Sequence, residues 1–173
     1  MERHEYLEYN AKPLRYRPMA IRISKILQPD LISLNLAQTK RTSAINEVVQ
    51  QLKTHPQMLN FQGFYDEVLA RERVESTCLG NEVAFPHART DHVKNMVMAA
   101  GRSVDGVWFE NSNQKVNLIF VIGTPKKMVT DYLAVVGALA RLLKEAELRE
   151  QLNKAGTAEE FLDYIAQAES RLK

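Results

Sequence analysis

The side chains best able to do chemistry fall in one stretch of the chain, Arg71–Arg89, which reads RERVESTCLGNEVAFPHAR. His87 stands two residues before Arg89, with Arg71 and Arg73 upstream and Ser76, Thr77 and Asn81 in between. Pro86 fixes its own φ and keeps Phe85 extended, so His87 is presented by a stiff segment. If the chain stays extended, His87 and Arg89 share a face, because strand side chains repeat every two residues. A neutral imidazole is a competent nucleophile near pH 7, and guanidinium groups bind phosphoryl oxygens in pairs. The chemistry that suits these residues is phosphoryl transfer onto His87. The same residues also suit a histidine among arginines on a solvated surface, and the local pattern alone does not choose.

Other chemistries find less support. Cys78, His87, Asp91 and His92 are near one another, but their spacing matches no structural zinc pattern, so no metal is expected. There is no Walker A sequence and no kinase-type glycine loop, so no nucleotide or other cofactor is expected. His92 reads as a loop histidine, Trp108 and Phe109 as packing residues.

These residues must be positioned by the elements around them. Ile32, Leu34 and Leu36 alternate with Ser33 and Asn35, the pattern of a strand over 31–36. Ile45, Val48, Val49 and Leu52 follow helical spacing after the cap-type Thr42-Ser43, and His55-Pro56 ends that helix. A second helix carries Phe61, Phe64, Tyr65, Val68 and Leu69 on one face. Residues 74–92 read as irregular apart from Val83-Ala84-Phe85. Asn95–Gly101 and Val116–Ile122 have strand length, and the nearly continuous apolar run of the second predicts a strand covered on both faces. Val104–Phe109 reads as a separate edge strand before a turn at Asn111-Ser112-Asn113. Three helices follow, built on Tyr132–Leu143, on Leu148 and Leu152, and on Phe161, Leu162 and Ile165, the last opened by the capping box Thr157-x-x-Glu160. The order predicts a three-layer α/β sandwich, a mixed sheet of about five strands with helices on both faces.

A length of 173 residues suits one domain. Residues 1–18, charged and broken by Pro13 and Pro18, read as an extension outside the core, leaving 19–173 as the domain. With 23 Lys+Arg against 21 Asp+Glu the net charge is +2, which gives no footprint for nucleic acid. The apolar runs fall far short of the roughly 20 residues that span a bilayer, so no membrane insertion is expected. A single cysteine and polar first twenty residues with no apolar signal segment lead to a cytoplasmic expectation.

The Arg71–Arg89 segment resembles the active-site signature of the EIIA domains of the bacterial phosphotransferase system, in the fructose, mannitol and nitrogen-regulatory class. Arg71, Glu72, Ser76, Thr77, Gly80, Asn81, Ala84, Pro86, His87, Ala88 and Arg89 fall in register with it. The likeness extends over about 21–170, where VNLIFVIGTP resembles the strand before the phosphate-site helix and DYLAVVGALARLL that helix. The resemblance implies that His87 accepts a phosphoryl group from the phosphocarrier HPr, on Nε2. It also implies that Arg71 lies near that group and that the Ser76, Thr77 and Asn81 loop supplies donors. An EIIB or a regulatory target would be the next partner. The departures are Glu75, Cys78 and Glu82, where the family carries glycines, and Tyr132, where it carries a second histidine. Two carboxylates pointing inward would repel phosphate, and a phenol donates a hydrogen bond without carrying positive charge. An EIIA-like regulatory binding module with weakened transfer is the alternative these departures motivate.

Overall fold

The computed structural model describes residues 21–172, so the extension read at 1–18 lies outside the described residues. In chain order the helices are α1 (Ile23–Ile26), α2 (Arg41–Val49), α3 (Phe61–Val74), α4 (Val129–Leu142), α5 (Ala146–Lys154) and α6 (Ala158–Arg171). The strands are β1 (Ile32–Ser33), β2 (Cys78–Gly80), β3 (Val83–Ala84), β4 (His87–Thr90), β5 (Val97–Phe109) and β6 (Gln114–Pro125).

The sheet is mixed and six-stranded, in the order β1-β5-β6-β3-β2, with β4 also on β6 beyond β3. Its backbone is the antiparallel hairpin of β5 and β6, closed at Phe109↔Gln114 with Asn113 at φ 55°. Strands β3 and β4 both run parallel to β6, at Val83↔Leu118 and at His87↔Ile122. The apolar run of β6 is covered on both faces, as its sequence predicts. On one face α2 and α3 approach so closely that only glycine fits beneath them. A Cβ on Gly101 would stand 2.6 Å from Val48, and one on Gly123 would stand 2.7 Å from Phe64. On the opposite face Phe120 packs against Phe161 of α6, with ring centroids 6.2 Å apart. Phe85 meets Phe120 edge-on at 5.9 Å, which anchors the residues just before His87 to the core.

Helix starts follow their side chains. Asn60 Oδ1 accepts from Gly63 N at 3.0 Å to open α3, and Thr157 Oγ1 accepts from Glu160 N at 3.1 Å to open α6. In the Thr157 cap the reciprocal arm reaches one residue further back, since Glu160 Oε2 accepts from Gly156 N at 3.3 Å.

Four expectations change. Helix α2 starts at Arg41 after an uncapped Lys40, so Thr42 and Ser43 lie within its first turn. The strand read at 31–36 shortens to Ile32–Ser33, because a 3-10 turn over Pro29–Leu31 takes its start. Besides β3 on the Val83-Ala84 run, residues 74–92 hold the short strands β2 and β4, each stabilised by pairing that local periodicity does not reveal. The segments read as two strands at 95–101 and 104–109 form the single strand β5, continuous through polar residues and shifted in register between Arg102 and Val107. Gly106, at φ 87°, sits within that irregularity, and Gly106 N donates to Ser103 Oγ at 3.0 Å.

Arg102 explains how polar residues persist in mid-strand. Its side chain is buried, and it donates from Nε to the Leu34 carbonyl at 3.0 Å and from Nη1 to the carbonyls of Leu152 at 3.0 Å and Ala155 at 2.7 Å. The guanidinium thereby satisfies the carboxyl end of α5 and fastens it to β5.

Candidate functional site

Strand β4 lies along the carboxyl-terminal half of β6, so its side chains emerge where parallel strands end and α4 begins. Crevices at that end of an α/β sheet are common ligand sites. A cleft of about 390 Å³ opens there, lined by Glu67, Ala70, Arg71, His87, Ala88, Arg89, Lys126 and Tyr132. It collects three cationic side chains against one carboxylate.

His87 and Arg89 share a face of β4, as the extended reading requires, while Ala88 and Thr90 are buried on the other. The His87 ring is fixed at both nitrogens. Nδ1 lies 2.8 Å from the Phe85 carbonyl, and because a carbonyl oxygen only accepts, Nδ1 carries the proton. Nε2 is then the bare nitrogen, and it accepts from the Tyr132 hydroxyl at 3.0 Å. Burial pushes the His87 pKa down and Arg71 adds to that, while the Phe85 carbonyl and Glu72 act in the opposite sense. The net direction keeps the ring neutral at physiological pH, the form with a free lone pair.

Arg71 reaches the cleft from the last turn of α3, where its Nη1 also donates to the Glu75 carbonyl at 2.9 Å. Arg89 donates from Nη2 to the Lys126 carbonyl at 3.2 Å, and its guanidinium stands 5.8 Å from the centre of the Tyr132 ring. Arg71, His87, Arg89 and Tyr132 are thus brought together. Ser76, Thr77 and Asn81 are not among the lining residues. Ser76 Oγ accepts from Cys78 N at 3.2 Å, and Thr77 Oγ1 donates to the buried Glu72 carboxylate at 2.6 Å. That carboxylate also accepts from Asn111 Nδ2 at 3.4 Å and lies 3.6 Å from Arg41, tying the loop to the β5–β6 turn.

Glu75 and Glu82 are both exposed and neither lines the cleft. Repulsion by carboxylates pointing inward therefore has no geometric basis here. Glu82 does take up the backbone role of a glycine, since Gly80, Asn81 and Glu82 have φ of 84°, 53° and 64°. The acid that faces the cleft is Glu67, which sequence reading missed, and its Oε1 lies 3.6 Å from His92 Nε2. Its signal was present, four residues before Arg71 on the same helix face. Lys126 was also missed, although it directly follows the end of β6.

The fold and cleft define an α/β domain that presents a neutral histidine nitrogen among cations at the carboxyl ends of parallel strands. The sequence model of the phosphoenolpyruvate-dependent sugar phosphotransferase system, EIIA 2, matches residues 25–168, and the chain belongs to this family. Among its relatives is the fructose-specific EIIABC component of Bacillus subtilis, 32% identical over 148 residues. That match takes in 85% of this chain and 23% of the relative, so the chain spans under a quarter of that protein. The fructose-specific EIIA component of Haloferax volcanii is 30% identical over 146 residues, covering 84% of this chain and 95% of the relative. Among solved structures, nitrogen regulatory protein IIA-Ntr from Neisseria meningitidis superposes with a TM-score of 0.76 at 28% identity, over 83% of this chain and 98% of that one. Among the described residues, no helix is long and apolar enough to cross a membrane.

Proposed function

We propose that this chain is a phosphoryl carrier whose His87 Nε2 accepts a phosphoryl group from an HPr-type phosphocarrier. It then passes the group to an EIIB partner or keeps it as a regulatory mark. The observation that carries this reading is the pair of contacts at His87. The Phe85 carbonyl holds the proton on Nδ1, so the cleft-facing Nε2 is the nucleophile. Transfer between two nitrogens passes through a loose in-line transition state, for which positioning and charge stabilisation matter most. Arg71, Arg89 and Lys126 are placed to neutralise the incoming oxygens. Ser76, Thr77 and Asn81 stay in the reading as the loop behind the site, with Thr77 holding it through Glu72. The domain is proposed to occupy 19–173, which the family match over 25–168 supports.

Incubation with phosphoenolpyruvate, enzyme I and HPr is expected to give an acid-labile adduct that maps by mass spectrometry to the peptide containing His87. An absent adduct removes the carrier reading. Arg71→Met is expected to slow adduct formation about a hundredfold, the usual cost of one donor on developing charge. A rate within twofold of the unmutated protein would remove Arg71 from the reaction.

One observation favours a second reading, a regulatory binding module with weakened transfer. The Tyr132 hydroxyl already occupies the lone pair of Nε2. The same incubation decides between the two, since a contact regulator takes up little phosphate at any time point.

A further inference from the structure

The contacts around Tyr132 reach further than support of a bound phosphate. Its hydroxyl is 3.0 Å from His87 Nε2, and with Nδ1 already protonated the phenol must be the donor in that bond. Tyr132 has contacts besides the one to His87. Its backbone N donates to the Met128 carbonyl at 3.0 Å at the start of α4, and the Arg89 guanidinium flanks its face. A phenol offers one O–H donor and no positive charge, so it occupies the lone pair without bringing a charge to the ring.

We infer that Tyr132 is a positioning residue that closes the unphosphorylated site: its hydroxyl holds the Nε2 lone pair, and on phosphorylation it turns to donate to a phosphoryl oxygen. The inference rests on His87 as the phosphoryl acceptor. In the step itself the Nε2 lone pair forms the new N–P bond while the bond from phosphorus to the donor's nitrogen breaks, and that electron pair leaves with the donor. The Nδ1 proton stays on Nδ1, donated to the Phe85 carbonyl. The Tyr132 proton stays on its own oxygen and changes only its acceptor, from Nε2 to phosphoryl oxygen.

The latch has two consequences of opposite sign. Acceptance is slowed, because one hydrogen bond must open before Nε2 can attack. Retention is lengthened, because the same hydroxyl holds the bound group. A site of this kind exchanges its group slowly in both directions, as suits a mark that reports phosphorylation state.

Tyr132→Phe keeps the ring and its contact with Arg89 and removes only the proton. Phosphoramidate is the probe, because it needs no protein partner: its P–N bond breaks as Nε2 attacks, and ammonia leaves with the electron pair. At about pH 8, where an ordinary histidine is neutral, Tyr132→Phe is expected to form the adduct about fivefold faster, the effect of one hydrogen bond. It is expected to lose the adduct faster by a similar factor. NMR titration of the His87 ring supplies a second readout that packing alone would not move. The charged groups around the ring are Glu67, Arg71 and Glu72 from α3, Arg89 from β4 and Lys126 after β6, and the variant alters none of them. Loss of a donor to the neutral ring is expected to raise the midpoint. Unchanged or slower adduct formation overturns the inference, and so does an unmoved midpoint. An adduct at residue 87 in neither protein overturns the acceptor reading and the latch with it. An adduct formed equally fast in both overturns the latch alone.

Discussion

His87→Asn is expected to abolish phosphoryl acceptance while leaving the fold in place. The asparagine amide nitrogen stands close to where Nδ1 stands and can donate to the Phe85 carbonyl, so the local hydrogen bond at 2.8 Å has a replacement. What disappears is Nε2, the nucleophile of this reading. Stability is expected to change by less than about 1 kcal/mol, since the ring is half-buried and Ala88 and Thr90 still anchor β4. Incubation with the phosphoryl donors should then give no adduct, and urea unfolding should report a near-normal midpoint. An adduct on His87→Asn would place the acceptor elsewhere. The unmutated protein should also show a characteristic pH dependence. Burial lowers the folded pKa of His87 below its ordinary 6.5, so acceptance should hold its plateau to lower pH than free imidazole and then fall as the ring protonates. The same shift enters stability. The unfolded chain takes up the proton first, so the contribution of His87 is complete above 6.5 and declines as pH drops from there towards the folded pKa. His87→Asn should remove that part of the acid sensitivity.

What could be read from the residues, and what could not, divides along the range of the interactions. The covered strand at Val116–Ile122, the buried faces at Ile45, Val48 and Val49, and the Thr157 cap were legible because each is decided by neighbours within a few residues. The shared face of His87 and Arg89 was legible for the same reason, from Pro86 and the two-residue repeat. Strands β2 and β4 were not, since a segment as short as Cys78–Gly80 has no periodicity and owes its form to Val83 and Ala84 beside it. Strand β5 looked like two strands because Arg102 and Ser103 interrupt its apolar pattern. Their partners, at Leu34, Leu152 and Ala155 and across the bulge, are invisible to local reading. In the site, Thr77 has the right chemistry for a phosphate donor, but its hydroxyl is taken by Glu72. The Tyr132–His87 contact joins residues 45 apart, so the sequence could supply the two side chains but not the bond between them.

Arg102 carries a large stability effect outside the site. It is 8% exposed, and among the described residues its three side-chain bonds all go to backbone carbonyls, those of Leu34, Leu152 and Ala155. Burial lowers its pKa, yet a guanidinium keeps its charge, and the negative end of α5 compensates it. Arg102→Met preserves much of the stem's packing and removes every donor. Three carbonyls, two of them on buried residues at the end of α5, then lose their partners. At about 1 kcal/mol or more each, the expected loss is about 3 kcal/mol, a large share of a stability of roughly 5–15 kcal/mol. In a domain of this size the thermal midpoint should fall by about 10 °C. Arg102→Lys should lose part of this, because an ammonium cannot present donors to both sides of a fork. Calorimetry on the three proteins checks the order Arg, Lys, Met. A loss under about 0.5 kcal/mol for Arg102→Met would mean that water satisfies the freed carbonyls and that α5 is held by Leu148 and Leu152 alone. The effect should stay out of the cleft, since Arg102 touches none of its lining residues, so phosphoryl acceptance per folded molecule should be unchanged. That separation distinguishes a residue that holds the sandwich together from those proposed to handle the phosphoryl group.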